Sequence, residues 1–340
     1  MITGKRIPLQ GLPAENPDWQ QQLGQMITRL PDLLSYLQLD HPPTALANMV
    51  HNPFPVRVTR YFADLMQPGD WQDPLLQQVL PWAAEGSETE GYVDDPLAEA
   101  EATALPGLIH KYRSRVLVVP TSACAIHCRY CFRRHFPYDD HRLSAQDQTA
   151  IVDYLQARPE INEVIFSGGD PFMLTDKHLA RWLDALELIP SLRRVRFHTR
   201  LPVVLPDRIT QRLIDRLTSG HLQPVVVLHS NHPNEITTAL NHALTPLRAS
   251  GVTLLNQTVL LRGVNNSSEI QAELAERLFA AGILPYYVHQ TDKVAGTSHF
   301  SVSDRQALRI HQEMKATLPG YLVPRLVSEV PGEPGKTWLS

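Results

Sequence analysis

The stretch RVLVVPTSACAIHCRYC, residues 115–131, runs from a β-branched strand pattern straight into Cys124, Cys128 and Cys131, the three cysteines of a 340-residue chain. Residues 115–120 read as a strand, and a helical pattern at 144–157 completes a βα unit. Five more units follow: EVIFSGG then 175–189, RRVRFHTR then 206–219, PVVVLHS then 233–250, TLLNQTVLL then 267–281, and LPYYVHQT then 303–317. Alternation of this kind predicts a parallel sheet covered by helices. Each strand ends in polar or special residues: the cysteines, Ser167-Gly168-Gly169-Asp170, His198 and Arg200, His229 and Asn231, Gln257 and Arg262, Gln290 and Asp292. Parallel α/β folds place their active sites at the C-terminal strand ends, and six such ends at one rim favour a ring over a doubly wound sheet. The expected fold is α/β: a partial, TIM-like (β/α)6 barrel over 106–320, a helical region over 1–105 with patterns such as WQQQLGQMITRLPDLLSYLQL, and a tail over 321–340.

Composition fits a globular protein with a sizeable core, 43% hydrophobic and 19% charged. The net charge is -4 and no window gathers lysines and arginines into a block, which disfavours nucleic acid as a partner and favours small substrates. MITGKRIPLQGLPAENPDW has no apolar core of a leader, and no run of about 18 apolar residues suggests a membrane span, so a cytoplasmic protein is expected. Three bunched cysteines also argue for a reducing compartment over a disulfide framework.

The cysteines admit four readings. A disulfide leaves one thiol over. Structural zinc wants a fourth ligand, for which His127 or His135 is in range along the chain. Three buried structural thiols sit oddly beside His127, Arg129, Arg133 and Arg134. An iron–sulfur cluster takes thiolates as its usual ligands, and three of them on a four-iron cubane leave one iron without a protein ligand.

CAIHCRYC, with its CxxxCxxC spacing and an aromatic before the third cysteine, resembles the radical S-adenosylmethionine enzymes, as do the six βα units. The resemblance implies a [4Fe-4S] cluster on Cys124, Cys128 and Cys131 whose open iron binds S-adenosylmethionine. SGGDP, residues 167–171, resembles that superfamily's second signature, which implies that Gly168, Gly169 and Asp170 border the cofactor; a glycine there avoids a Cβ that would block close approach. Tyr130 and His229 are the further expected neighbours of S-adenosylmethionine.

A narrower resemblance extends from about residue 105 to the end. CRYCFRRHF, SGGDP, HTRLPVV, HSNHPNEIT, NQTVLLRGVNN, YYVHQTD and PGEPGK are similar, in this order, to lysine 2,3-aminomutases, and nearest to the shorter branch that serves β-lysylation of elongation factor P. That resemblance implies that Lys336 holds pyridoxal 5'-phosphate as a Schiff base, with Arg115, and Lys111 nearby, beside the coenzyme phosphate. It implies that Arg133 takes the carboxylate of L-lysine and that Asp292 and Glu329 take its distal ammonium, Glu329 standing where the family has a second aspartate. Charge supports the last assignment, since an ammonium in a closed site calls for carboxylates around it. The implied reaction removes a hydrogen from C3 of lysine, moves the amino group from C2 to C3 and returns the hydrogen, giving β-lysine.

The implied partners are an external electron donor such as flavodoxin or ferredoxin, a separate elongation factor P ligase, and further copies of the chain in a homo-oligomer. Taken alone, Lys336 is a solvated lysine four residues from the last position, and the implied role requires the tail to fold back over the barrel mouth. Two rival functions stand beside this one. The same chemistry on another amino acid, such as glutamate, is disfavoured by Asp292 and Glu329, which would repel a distal carboxylate. The other rival is a non-catalytic iron–sulfur or zinc protein that senses redox state.

Overall fold

The computed structural model describes residues 18–40, 54–137 and 143–340. The expected helical region over 1–105, and the stretch inspected for a leader, fall partly on 1–17 and 41–53, outside the described residues. Three short helices come first: α1 (Trp19–Gly24), α2 (Leu30–Tyr36) and α3 (Arg60–Asp64). Strands β1 (Thr103–Leu105), β2 (Leu108–Tyr112) and β3 (Arg115–Val118) then form an antiparallel meander. From β3 onward strands and helices alternate: α4 (Ala145–Gln156), β4 (Glu163–Phe166), α5 (Asp176–Glu187), β5 (Arg194–Thr199), the one-turn α6 (Leu201–Val204), α7 (Gln211–Thr218) and β6 (Gln223–His229). The series continues with α8 (Thr238–Ala249), β7 (Thr253–Val259), α9 (Ser268–Ala280), β8 (Leu284–His289), α10 (Asp304–Thr317), β9 (Arg325–Ser328) and β10 (Thr337–Trp338).

The ten strands form one sheet whose spatial order is the chain order. Strands β3 to β9 are all parallel, and β10 returns antiparallel to β9. A doubly wound sheet reverses its strand order at a switch point, and no reversal occurs here. The sheet curls instead. Tyr112 Oη, on β2, donates to Glu329 Oε1, beyond β9, at 3.3 Å, and Lys111 Nζ lies 3.7 Å from the same oxygen. Elements near opposite edges of the sheet therefore meet through side chains, which makes the fold a partial barrel. The six expected βα units are present. The structure adds a seventh parallel strand, β9, which four residues after Pro324 form and no helix follows, so it has no βα signature to find.

Alternation along the strands separates two environments. On β5, Val195, Phe197 and Thr199 are buried on the helix side, while Arg196 and His198 face the lumen. The covering helices start where the sequence supplies a hydroxyl. Ser144, Thr175, Thr210, Thr237, Ser267 and Ser303 each accept a backbone N–H of the first turn, satisfying one of the donors a helix start leaves unpaired. The N-terminal helices share the barrel's core: Trp19, Leu33, Phe62 and Leu76 pack into one apolar cluster with Val116, Phe166, Phe197 and Val226. Among the described residues no helix is long and apolar enough to cross a membrane.

Candidate active site

The cysteine loop leaves the C-terminal end of β3 and lies against the SGGDP turn at the end of β4. Gly169 N donates to Thr121 O at 3.1 Å and Asp170 N to Ala123 O at 2.8 Å. A Cβ at Gly169 would come within 2.7 Å of those carbonyl oxygens, so glycine is what lets the two loops touch. Gly168 adopts φ +104°, and a Cβ there would strike Val119. Asp170 is buried and its carboxylate is fully engaged: Oδ1 accepts from Phe172 N and Thr199 Oγ1 at 3.0 and 2.6 Å, and Oδ2 accepts from Arg200 N and Leu201 N at 2.7 and 2.8 Å. It thereby fixes the exit of β5 to the exit of β4.

Arg200, which leaves β5 at that point, reaches the cysteines. Its Nη1 donates to Cys128 Sγ at 2.8 Å and to Tyr130 Oη at 2.6 Å, and its Nη2 to Gln78 Oε1 at 2.7 Å and Glu235 Oε2 at 3.1 Å. Asn231 Nδ2 donates to Tyr130 Oη and Gln78 Oε1, while Glu235 Oε1 accepts from Gln78 Nε2 and the backbone N–H groups of Asn231 and His232. Gln78, Tyr130, Arg200, Asn231 and Glu235 are buried, and Cys128 is partly so. The three cysteines are unpaired, and burial pushes the Cys124 thiol up and the Cys131 thiol to about 11.

The second half of the site lies in the lumen, where the tail returns. Lys336 Nζ is 2.6 Å from Glu329 Oε2 and 5.8 Å from the ring centre of Tyr287. Burial alone would raise the Glu329 carboxyl, but the ammonium groups of Lys336 and Lys111 outweigh it and hold that carboxyl below the usual range. Asp292 feels burial first and the charge of Glu329 next, which together push it up to about 7. His198 and His289 stay neutral because burial, reinforced by the nearby charge of Lys336, pulls both far down. Their Nε2 atoms, and Gln290 Oε1, are buried without a hydrogen-bond partner.

The remaining expected residues are placed as follows. Arg133 is buried, with Nε and Nη2 on the two oxygens of Glu99, each at 2.7 Å, and Nη1 on Ser167 Oγ at 3.0 Å. Arg115 stacks over the Tyr112 ring at 4.1 Å, two side chains from Glu329. Tyr130 packs edge-on to Phe300 and tilted against His229, with its hydroxyl inside the Arg200 network. Burial, with the Arg200 charge, lowers His229 to about 3. The structure thus gathers Cys124, Cys128, Cys131, Gly168, Gly169, Asp170, Tyr130 and His229 at the cysteine end and Lys336, Asp292, Glu329 and Arg115 at the lysine end. Sequence reading missed Glu99, Gln78 and Glu235 as members of the site. Glu99 is one acid in an acidic loop and Gln78 one amide among several, so neither carries a local signal.

The residues fit the groups that the sequence implies. Among the described residues no trio of histidine, cysteine, aspartate and glutamate side chains is set to hold a single metal ion. His127 gives Nδ1 to Pro55 O at 2.8 Å and stacks on Phe54, and His135 Nε2 contacts Ala295 O at 3.1 Å, so both are engaged away from the thiols. A set of thiols alone suits an iron–sulfur cluster. At the other end, an amine inside the lumen with orphaned polar atoms around it suits a polar, ring-bearing aldehyde.

Comparison with known proteins gives the same direction. Residues 118–241 match the family described as the Radical SAM superfamily. The chain is 45% identical to an L-lysine 2,3-aminomutase of Haemophilus influenzae, over 97% of this chain and 98% of that protein. It is 45% identical to the Escherichia coli L-lysine 2,3-aminomutase, over 95% and 94%, and 35% identical to that of Clostridium subterminale, over 94% and 77%. Among solved structures, a radical SAM methyltransferase from Sphaerobacter thermophilus aligns with TM-score 0.48 and 18% identity over 65% of this chain and 68% of that one.

Proposed function

The chain belongs to the L-lysine 2,3-aminomutase family of the radical SAM superfamily and is an isomerase, and on that premise we propose that it converts L-lysine to β-lysine with pyridoxal 5'-phosphate held on Lys336. The observation that carries this reading is the position of Lys336: a lysine four residues from the last position is folded into the lumen against Glu329, beside Asp292, His198 and His289. The cluster with S-adenosylmethionine supplies a radical that takes hydrogen from carbon, and pyridoxal phosphate supplies an imine π system through which an amino group can migrate.

The chain's own residues do the rest. Glu329 and Asp292 receive the distal ammonium of lysine, and Arg133, steadied by Glu99, receives its carboxylate. Arg115 and Lys111 would hold the coenzyme phosphate. With Lys336 committed to the coenzyme, Glu329, which it now contacts, would be available to a substrate cation. Gly168, Gly169, Asp170, Tyr130 and His229 shape the space beside the cluster. Lining the lumen with neutral histidines and closing it with the tail excludes side reactions of a reactive carbon radical. We further propose that the enzyme works in the cytoplasm, draws electrons from a flavodoxin- or ferredoxin-like donor, and supplies β-lysine to an elongation factor P ligase; residues 1–105, 106–320 and 321–340 serve as support, barrel and lysine-bearing tail.

Absorbance of protein reconstituted with pyridoxal phosphate tests the carrying observation. A coenzyme band present in the wild type and absent in Lys336→Ala is expected, together with loss of turnover by at least 1000-fold, on the order of the loss of a covalent catalytic group. A band that persists in Lys336→Ala overturns the assignment.

A further inference from the structure

Among the three cysteines, one is treated differently. Cys128 meets a guanidinium, with Arg200 Nη1 at 2.8 Å from Sγ. We infer that Arg200 is a positioning residue for the cysteine-bound cluster, donating N–H···S to Cys128 and setting the cluster's reduction potential. The inference rests on the reading above that the cysteines hold a cluster.

Three features of the structure support it. First, Arg200 is 5% exposed, so its charge is less screened by solvent than that of a surface arginine. Second, its position is over-determined: Asp170 Oδ2 holds its backbone N–H, and Gln78, Tyr130 and Glu235 hold its guanidinium from three separate segments of the chain. A guanidinium needed only to satisfy Glu235 would not require a fork aimed at a thiol. Third, Glu235 is fully buried and shares its other oxygen with Gln78, Asn231 and His232, so it neutralises Arg200 only in part. A positive charge and an N–H donor at a cluster thiolate stabilise the reduced state, which carries one more electron, and so raise its potential. Arg200 stays charged whatever the pH, so the effect is constant. The segment bearing Gln78 lies ahead of the barrel in the chain, which gives that region a share in orienting the donor.

The test uses anaerobically reconstituted full-length protein without S-adenosylmethionine. Iron and acid-labile sulfide are counted, and the reduced cluster is titrated by electron paramagnetic resonance. Arg200→Met is expected to titrate at a more negative potential than the wild type, Arg200→Lys to fall between them, and Thr237→Ala, which weakens the start of α8 and lies outside the hydrogen bonds of Arg200, to stay near the wild type. Equal potentials in the wild type and both Arg200 variants overturn the inference. So does a Thr237→Ala shift as large as that of Arg200→Met, because general loosening would then be the cause. If Arg200→Met does not fold, Arg200→Lys decides: a more negative value supports the inference and a wild-type value overturns it. A wild type that takes up no iron defeats the cluster reading itself.

Discussion

The cysteine end and the lysine end of the barrel handle polar groups in opposite ways. Around the cysteines the charged groups are braced: Asp170 accepts four hydrogen bonds and Arg200 is held by Gln78, Tyr130 and Glu235, while Arg200 Nε, Arg134 Nε and Ser230 Oγ are left without partners. Around Lys336 the lumen is under-satisfied, with His198 Nε2 and His289 Nε2 lacking partners and Asp292 forced toward its neutral form. Buried polar atoms without partners cost free energy, typically about 1–3 kcal/mol each. The more nearly saturated network suits a cluster whose ligands must keep their geometry, and lumen atoms without partners suit the binding of a substrate.

That contrast is sharpened most strongly at Asp292. Removing one partner of a buried charge pair costs about 2–5 kcal/mol, so Asp292→Asn should raise the KM for lysine roughly 30-fold or more. The same variant should behave oppositely in the ligand-free protein. Asp292 is raised from 3.8 to about 7, so the folded chain keeps a proton that the unfolded chain loses between those values. Stability therefore falls as pH rises through that window, and Asp292→Asn should remove the slope and melt higher than the wild type at pH 8. Lysine affinity of the wild type should improve as pH rises through about 7. Melting curves and KM values across pH 5–8 check all three statements, and a variant less stable than the wild type at pH 8 would break the contrast.

At the cysteine end the expected effect is on the scaffold. Gly169→Ala places a methyl against the carbonyl oxygens of Thr121 and Ala123, which are backbone atoms and cannot swing aside. It should cost about 1–3 kcal/mol and lower iron content after reconstitution. Smallest is a change that touches neither end. Thr237→Ala removes the cap of α8 and should cost about 1 kcal/mol in denaturant melts, with kcat/KM preserved.

The fold was legible because its signals are local. Strand runs such as PVVVLH, the helical patterns between them and the polar residues at each strand end repeat six times over, and the structure places them accordingly. Strand β9 was not, since RLVS without a following helix looks like any short apolar run. The cysteines and Lys336 were legible through resemblance, and the lysine needed it most because nothing near the end of the chain announces a return into the lumen. The partners of Arg133 and Arg200 were not legible: Glu99, Gln78 and Glu235 lie 34, 122 and 35 positions from the arginines they hold, and only the folded sheet brings them together.

The division of labour between the two ends is tested most directly by one isotope experiment. Wild-type protein carrying both cofactors is given S-adenosylmethionine, a strong reductant and L-lysine deuterated at C3, without oxygen. Deuterium should appear in the recovered 5'-deoxyadenosine alongside β-lysine. Formation of β-lysine with no deuterium in 5'-deoxyadenosine would contradict a reaction in which the cysteine end supplies the radical and the lysine end presents C3 to it.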